Sequence, residues 1–333
     1  MSVSSVRSSR NPVLLIAIAA MAVSSTGCHL GFMRAKSTRT ASFTVAEPAT
    51  GFCRVQTRNG TVRCVAGDVS EIQVEAQITA RGANQEDALR RAEMISVDVI
   101  DNDGVTEIAA NIPKGTYGSV SMTLTVPQAL SMDVRTSNGR IDVTGLGGSL
   151  KGTTSNGTVS VVDCGGPIEL KTSNGKLNIQ GETIQMLTAR TSNGSVDVKG
   201  ALLPGRHKIR TSNGSIHVGA YGFPMAVTGV TSNGSVRING DKVKKGETIF
   251  LGLPGGVMQT SGSEVVELDL HTSNGSIKVQ HALDMPVEIE SVETEGIEIE
   301  GLVPTDLEEF EIDLTDPNGG PVEETDVPIT SPI

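Results

Sequence analysis

Leu187-Thr-Ala-Arg-Thr-Ser-Asn-Gly-Ser-Val-Asp-Val198 decides the fold, because the chain keeps returning to it. Thr-Ser-Asn-Gly occurs seven times, ending at Gly139, Gly157, Gly175, Gly194, Gly214, Gly234 and Gly275, in steps of 18, 18, 19, 20, 20 and 41 residues. The last step reads as two periods with a degenerate unit between them. An eighth copy, Thr57-Arg-Asn-Gly60, stands far upstream. Two and four residues after the glycine every copy is apolar, from Val62 and Cys64 to Ile277 and Val279, with a polar residue between. That period of two marks a half-buried strand. Seven residues before the glycine runs another apolar column, Cys53, Met132, Leu150, Ile168, Leu187, Val227 and Leu268, interrupted by His207.

Each unit therefore supplies a strand, a bend, a second strand and a Gly- or Pro-rich return. Units this short cannot bury a face alone and must stack on one another. The expectation is an all-β chain folded as a single-chain β-solenoid, or β-helix, with 18–20 residues per coil and rungs about 4.8 Å apart. Glycine at the bend permits positive φ or a close backbone approach. Alternation counted back from the inward columns puts Thr and Asn inside and Ser outside. This predicts an internal turn ladder of Asn138, Gly139, Asn156, Gly157, Asn174, Gly175, Asn193, Gly194, Asn213, Gly214, Asn233, Gly234, Asn274 and Gly275. A threonine array matching ice would need the threonines outside. A calcium-binding roll would need Asp in Gly-rich turns, and these bends contain none.

Outward from the repeats, strand-like runs at Glu71–Thr79, Ser96–Ile100, Thr106–Ile112 and Ser119–Val126 surround one helix signal at Gln85–Met94, with Asn84 able to cap it. The organisation expected is a signal peptide at 1–27, a lipidated linker at 28–50 and a β-rich cap at 51–131. Solenoid repeats follow at 132–282, then acidic edge strands at 283–302 and an acidic disordered tail at 303–333. The signal peptide reads from Arg7 and Arg10, the apolar run Val13 to Val23 and the small residues ending at Gly27-Cys28. This terminus resembles the lipobox of bacterial lipoproteins, with Ser25 where that pattern usually has Leu. The resemblance implies lipidation at Cys28, a membrane anchor and, since His29 is not Asp, the outer membrane. In an oxidising compartment Cys53 and Cys64 are the candidate disulfide, with Cys164 a buried small hydrophobe.

The 333 residues carry 38 acidic and 27 basic side chains, a net charge of -11, and aromatics are 2% with no Trp. So little aromatic surface excludes stacking platforms for single-stranded nucleic acid. The acidity belongs to residues 281–333, which hold sixteen Asp or Glu and no Lys or Arg. Residues 28–280 hold 25 basic and 22 acidic side chains. There, Arg135, Lys171, Arg190 and Arg210 share the position four before the glycine, and Arg140 and Lys176 lie one after it. Together they form a candidate anion-binding stripe. No cysteine spacing supports zinc, no cofactor is expected, and the five histidines share no column. Asp142 and Asp197 share an outward column three rungs apart, roughly 14 Å. That exceeds the about 5–9.5 Å of a glycosidase carboxylate pair, so catalysis is not expected.

The run Ser119-Val-Ser-Met-Thr-Leu-Thr-Val-Pro127, followed by Met132-Asp-Val-Arg-Thr-Ser-Asn-Gly-Arg-Ile-Asp-Val143, resembles the bacterial "putative adhesin" family, exported β-repeat proteins of unknown function. The resemblance covers about residues 50–280. It is specific for the fold, implies adhesion only as a label, and brings no site residues with it; the expected role is a non-catalytic binding or adhesion module of the cell envelope. Anionic polysaccharide and envelope proteins are the expected partners. The alternatives are a structural envelope spacer or self-associating scaffold and, third, a carbohydrate-active enzyme.

Overall fold

The computed structural model describes residues 23–25, 35–252 and 265–283. Among these the chain is nearly all β, with one helix and two sheets rich in parallel pairs, of thirteen and eleven strands. Neither sheet closes into a barrel. Every bend joins a strand of one sheet to a strand of the other. In the Gly157 unit these are Leu150–Thr153 and Val159–Val162, and in the Gly175 unit Ile168–Lys171 and Leu177–Ile184. We call the two layers the pre-bend and post-bend sheets.

Neighbouring units pair in parallel, in the register the sequence columns require. Met132 lies beside Leu150 and Leu150 beside Ile168 in the pre-bend sheet; Ile141 lies beside Val159 and Val159 beside Leu177 in the post-bend sheet. All of these side chains are buried between the sheets. Sizes alternate where two columns crowd: a Cβ on Gly152 would come 3.0 Å from Leu170 Cδ2, so the missing side chain makes room for the next rung's leucine.

The upstream copy is a full member of the stack. Cys53 pairs beside Met132 and Val62 beside Ile141, so the Gly60 unit lies directly against the Gly139 unit. The chain between them travels outward and builds the cap. Gly118–Pro127 runs parallel to Val62–Gly67, Glu71–Gly82 antiparallel to Gly118–Pro127, and Ala35–Ala46 antiparallel to Glu71–Gly82. Residues 35–46 were expected within a linker. They pair along their whole length, although Phe43 and Val45 are their sole large apolar side chains, because Glu71–Gly82 offers an unpaired edge. In the other layer Val105–Asn111 runs parallel to Phe52–Asn59, and Ser96–Asn102 returns antiparallel on it. The helix is Gln85–Glu93. Asn84 Oδ1 accepts the Asp87 N–H at 2.8 Å and Asp87 Oδ2 accepts the Ala83 N–H at 3.0 Å, a reciprocal cap.

The far end differs from the expectation. Among the described residues the 41-residue step forms no degenerate rung; the order of the last two units is exchanged. Gly205–Arg210 pairs with Val266–Asn274, which in turn pairs with Met225–Asn233. In the post-bend sheet Ile277–Ala282 likewise lies between Ile216–Tyr221 and Val236–Ile238. The Gly275 unit is thus inserted between the Gly214 and Gly234 units. The cause lies in the intervening segment. Asp241–Val243 folds antiparallel onto Val236–Ile238, and Thr248–Leu251 antiparallel onto Met225–Asn233, taking both outer edges. The last copy then finds parallel partners inside the stack. Exposed Lys242, Lys244 and Lys245 on the closing segment oppose addition of a further strand. The acidic edge strands expected at 283–302 and the tail beyond lie outside the described residues, apart from Leu283.

Candidate functional site

The bend is a three-part device. All eight threonines are buried, and seven donate Oγ1–H to the glycine carbonyl of the neighbouring rung, among them Thr154 to Gly139 at 3.1 Å and Thr191 to Gly175 at 3.1 Å. The asparagines form a continuous amide ladder, Asn59, Asn138, Asn156, Asn174, Asn193, Asn213, Asn274 and Asn233, each Nδ2–H···Oδ1 link 2.7–2.9 Å long. Its order records the exchanged final rungs. The ladder lies on the outside, not inside as expected, because strand alternation does not continue through the bend. Ser155 and Asn156 both turn outward while both their backbone N–H groups donate to Ser137. The buried polar work falls to threonine. At Gly157 an added Cβ would overlap the Gly139 carbonyl oxygen, and the same holds from rung to rung. Of the bend glycines, Gly60 alone has positive φ, so close approach, not handedness, requires the others.

Cys53 and Cys64, expected as a disulfide, are free thiols in the structure, and Cys164 is also free and buried. Each of the pair stands in an inward column that other units, His207 apart, fill with apolar side chains, and there it packs as a small hydrophobe. Burial pushes the Cys53 thiol up to about 12, and burial raises Cys64 and Cys164 too, so none is a ready nucleophile. Cys28 lies outside the described residues. His207 is fully buried in its leucine column. Its Nε2 lies 2.9 Å from the Leu203 carbonyl, Nδ1 has no partner, and burial lowers its pKa.

The six candidate stripe residues divide. Arg135, Thr153, Lys171, Arg190 and Arg210 are successive cross-strand partners on the outer face of the pre-bend sheet, continued by His271 and Val230. Arg135 is bound by Asp133 at 2.7 Å. Arg140 and Lys176 turn to the other sheet, Arg140 to Asp142 at 2.6 Å and Lys176 to Asp197 at 2.5 Å. Lys171, Arg190 and Arg210 are exposed, and among the described residues they form no ion pair. Like charges directly opposite each other destabilise a sheet. Two positions earlier the charges complement: Lys151 bonds Glu169 at 3.0 Å and Lys208 lies beside Asp269.

A second feature was not singled out from the sequence. The outer face of the post-bend sheet holds a groove of about 1060 Å³ crossing six rungs, from Ser160 to Arg237. Its floor comes from the outward positions three and five after each glycine, which apart from Val162 and Gly219 read individually as ordinary solvent-facing polar residues. The signal that would have found it is their composition taken along the stack: amides and hydroxyls first, then cations. Asp142 and Asp197 do lie three strands apart, and each is occupied by cations.

Among the described residues no group of His, Cys, Asp or Glu could hold a metal ion, and no helix is long and apolar enough to cross a membrane. No protein-family model and no curated protein matches the sequence. Solved structures similar to the chain include a putative cell adhesion protein from Clostridium sporogenes, at 10% identity over 73% of this chain and 99% of that one, with a TM-score of 0.35. A putative adhesin from Bacteroides fragilis gives 11%, 73%, 96% and 0.36, and a putative lipid binding protein from Parabacteroides distasonis 9%, 73%, 96% and 0.24.

Proposed function

We propose that the chain is a non-catalytic binding module of the cell envelope, tethered by a lipid at Cys28, whose parallel stack is a β-solenoid presenting cations to an acidic polysaccharide. One observation carries this reading: Lys171, Arg190 and Arg210 stand side by side in adjacent strands, and among the described residues no carboxylate pairs with any of them. Neighbouring positions on the same face relieve their charges, so the chain's sheet chemistry permits relief, and this row forgoes it. A polymer bearing regularly spaced carboxylates would supply the missing counter-charge along the stack, and rungs about 4.8 Å apart place one cation per step. With aromatics at 2% of the chain, recognition rests on charge and hydrogen bonds and not on ring stacking.

The self-associating scaffold is less well supported, since antiparallel strands occupy both outer edges at the far end and lysines flank them. The test is binding of alginate to the protein across a salt series, with and without Arg190→Ser and Arg210→Ser. The reading requires binding that weakens with salt and is lost in the double variant. Equal binding by both proteins would end it.

A further inference from the structure

The groove on the post-bend sheet is a built surface that the row on the opposite face does not explain. It spans roughly 24 Å along the stack, the reach of a short oligosaccharide. Its lining contains one carboxylate, Asp197, and both of that group's oxygens are taken: Oδ2 by Lys176 Nζ at 2.5 Å and Oδ1 by His217 Nδ1 at 3.0 Å. Lys199, Lys278 and Arg237 are left without a carboxylate among the described residues. Lys278 and Arg237 are direct cross-strand partners, with His217 on the other side of Lys278, so three basic groups adjoin in successive strands at one end. Arg237 Nη1 reaches the Gly240 carbonyl at 3.3 Å, which holds its guanidinium at the groove rim without neutralising it. At the other end the cation, Lys176, is neutralised by Asp197, and Ser160, Asn178 and Gln180 offer hydroxyl and amide groups that both donate and accept.

We infer that this groove is a separate binding site for a short acidic oligosaccharide, its anionic group held by Lys278 and Arg237 and its hydroxyls bonded by Asn178 and Gln180. A uniformly charged polymer would leave the neutral end unused, and a neutral glycan would leave two adjacent cations uncompensated. A chain of hydroxyl-bearing units with an acidic group toward one end satisfies both. The inserted Gly275 unit places Lys278 between His217 and Arg237.

The test uses cellopentaonate, which is cellopentaose oxidised to a carboxylate at its reducing end, and the neutral cellopentaose as probes, by calorimetric titration of the full chain. Cellopentaonate is expected to bind the wild type and the Arg190→Ser, Arg210→Ser variant alike. Binding should fall about tenfold or more in Lys278→Ser with Arg237→Ser, the loss of two charge-assisted contacts. Lys278→Arg with Arg237→Lys, which keeps the charges, is expected to retain most of the binding. Cellopentaonate binding lost in the row variant and kept in the groove variant would overturn the inference and leave the row as the site. Cellopentaose binding as well as the acidic probe would overturn the assignment of class. No binding of cellopentaonate to the wild type would overturn the groove site altogether, while the alginate series would still decide the row.

Discussion

Replacing Gly175 by alanine should break the stack at one rung, and the cost can be worked from the contacts. A Cβ there falls on the Gly157 carbonyl oxygen and comes 3.0 Å from Thr172 Oγ1. The oxygen cannot retreat without pulling its strand, so relief comes from opening the rungs locally. That lengthens Thr172 Oγ1–Gly157 O, now 3.2 Å, Asn174 Nδ2–Asn156 Oδ1, now 2.8 Å, and Asn174 N–Ser155 O, now 2.8 Å. At about 1 kcal/mol for each bond the loss is about 3 kcal/mol, at the upper end of ordinary overpacking. The control is Gly165→Ala, ten residues away, whose nearest neighbour would be the Gly147 Cα at 3.9 Å and whose φ is not in the left-handed region. It should change stability by no more than about 1 kcal/mol, in the stabilising direction. Urea unfolding followed by circular dichroism measures both. With a slope of about 3 kcal/mol per molar, Gly175→Ala should lower the midpoint by about 1 M. Equal midpoints for the two variants would refute the close-approach account of the bend.

Four further outcomes are expected. Thr191→Val keeps the shape of the buried side chain but leaves the Gly175 carbonyl without its 3.1 Å donor, costing about 1–3 kcal/mol by the same unfolding assay. His207 is buried neutral with a lowered pKa, so below about pH 6.5 the unfolded chain takes up a proton that the folded ring resists, and stability falls as pH drops through that range. His207→Leu, which matches Leu268 beside it, should remove that slope and raise stability at pH 5. Asn84→Ala should cost about 1 kcal/mol by removing the helix cap, read from unfolding midpoints. Finally, cysteines at Arg210 and His271 should form a disulfide under mild oxidation, while cysteines at Arg210 and Val230, two strands apart at roughly 10 Å, should not. The reverse result would mean that the final units stack in sequential order.

Columns were legible in the sequence because strand periodicity is a local property: Val159, Leu177 and Val196 sit as their spacing from the glycine required. Order was not, because the Gly234 and Gly275 units carry the same columns and either would stack on the Gly214 unit. Their arrangement is set by Asp241–Val243 and Thr248–Leu251, which lack the motif and so read as part of a degenerate repeat. The position of Asn156 was misjudged for a different reason, since alternation holds for extended chain and fails once the backbone bends. For the candidate site, the row could be read from one column, but the fates of Arg140 and Lys176 depended on which sheet their flexible side chains reach. The groove needed two columns read together along the stack.

If the row of cations is kept against the stability of the sheet because a polyanion completes it, unfolding of the wild type and of Arg190→Gln with Arg210→Gln at low salt, with and without alginate, will show it. The double variant alone should be more stable, by about 1 kcal/mol from relieved repulsion, and alginate should stabilise the wild type but not the variant. A variant no more stable than the wild type, and equally stabilised by alginate, would contradict it.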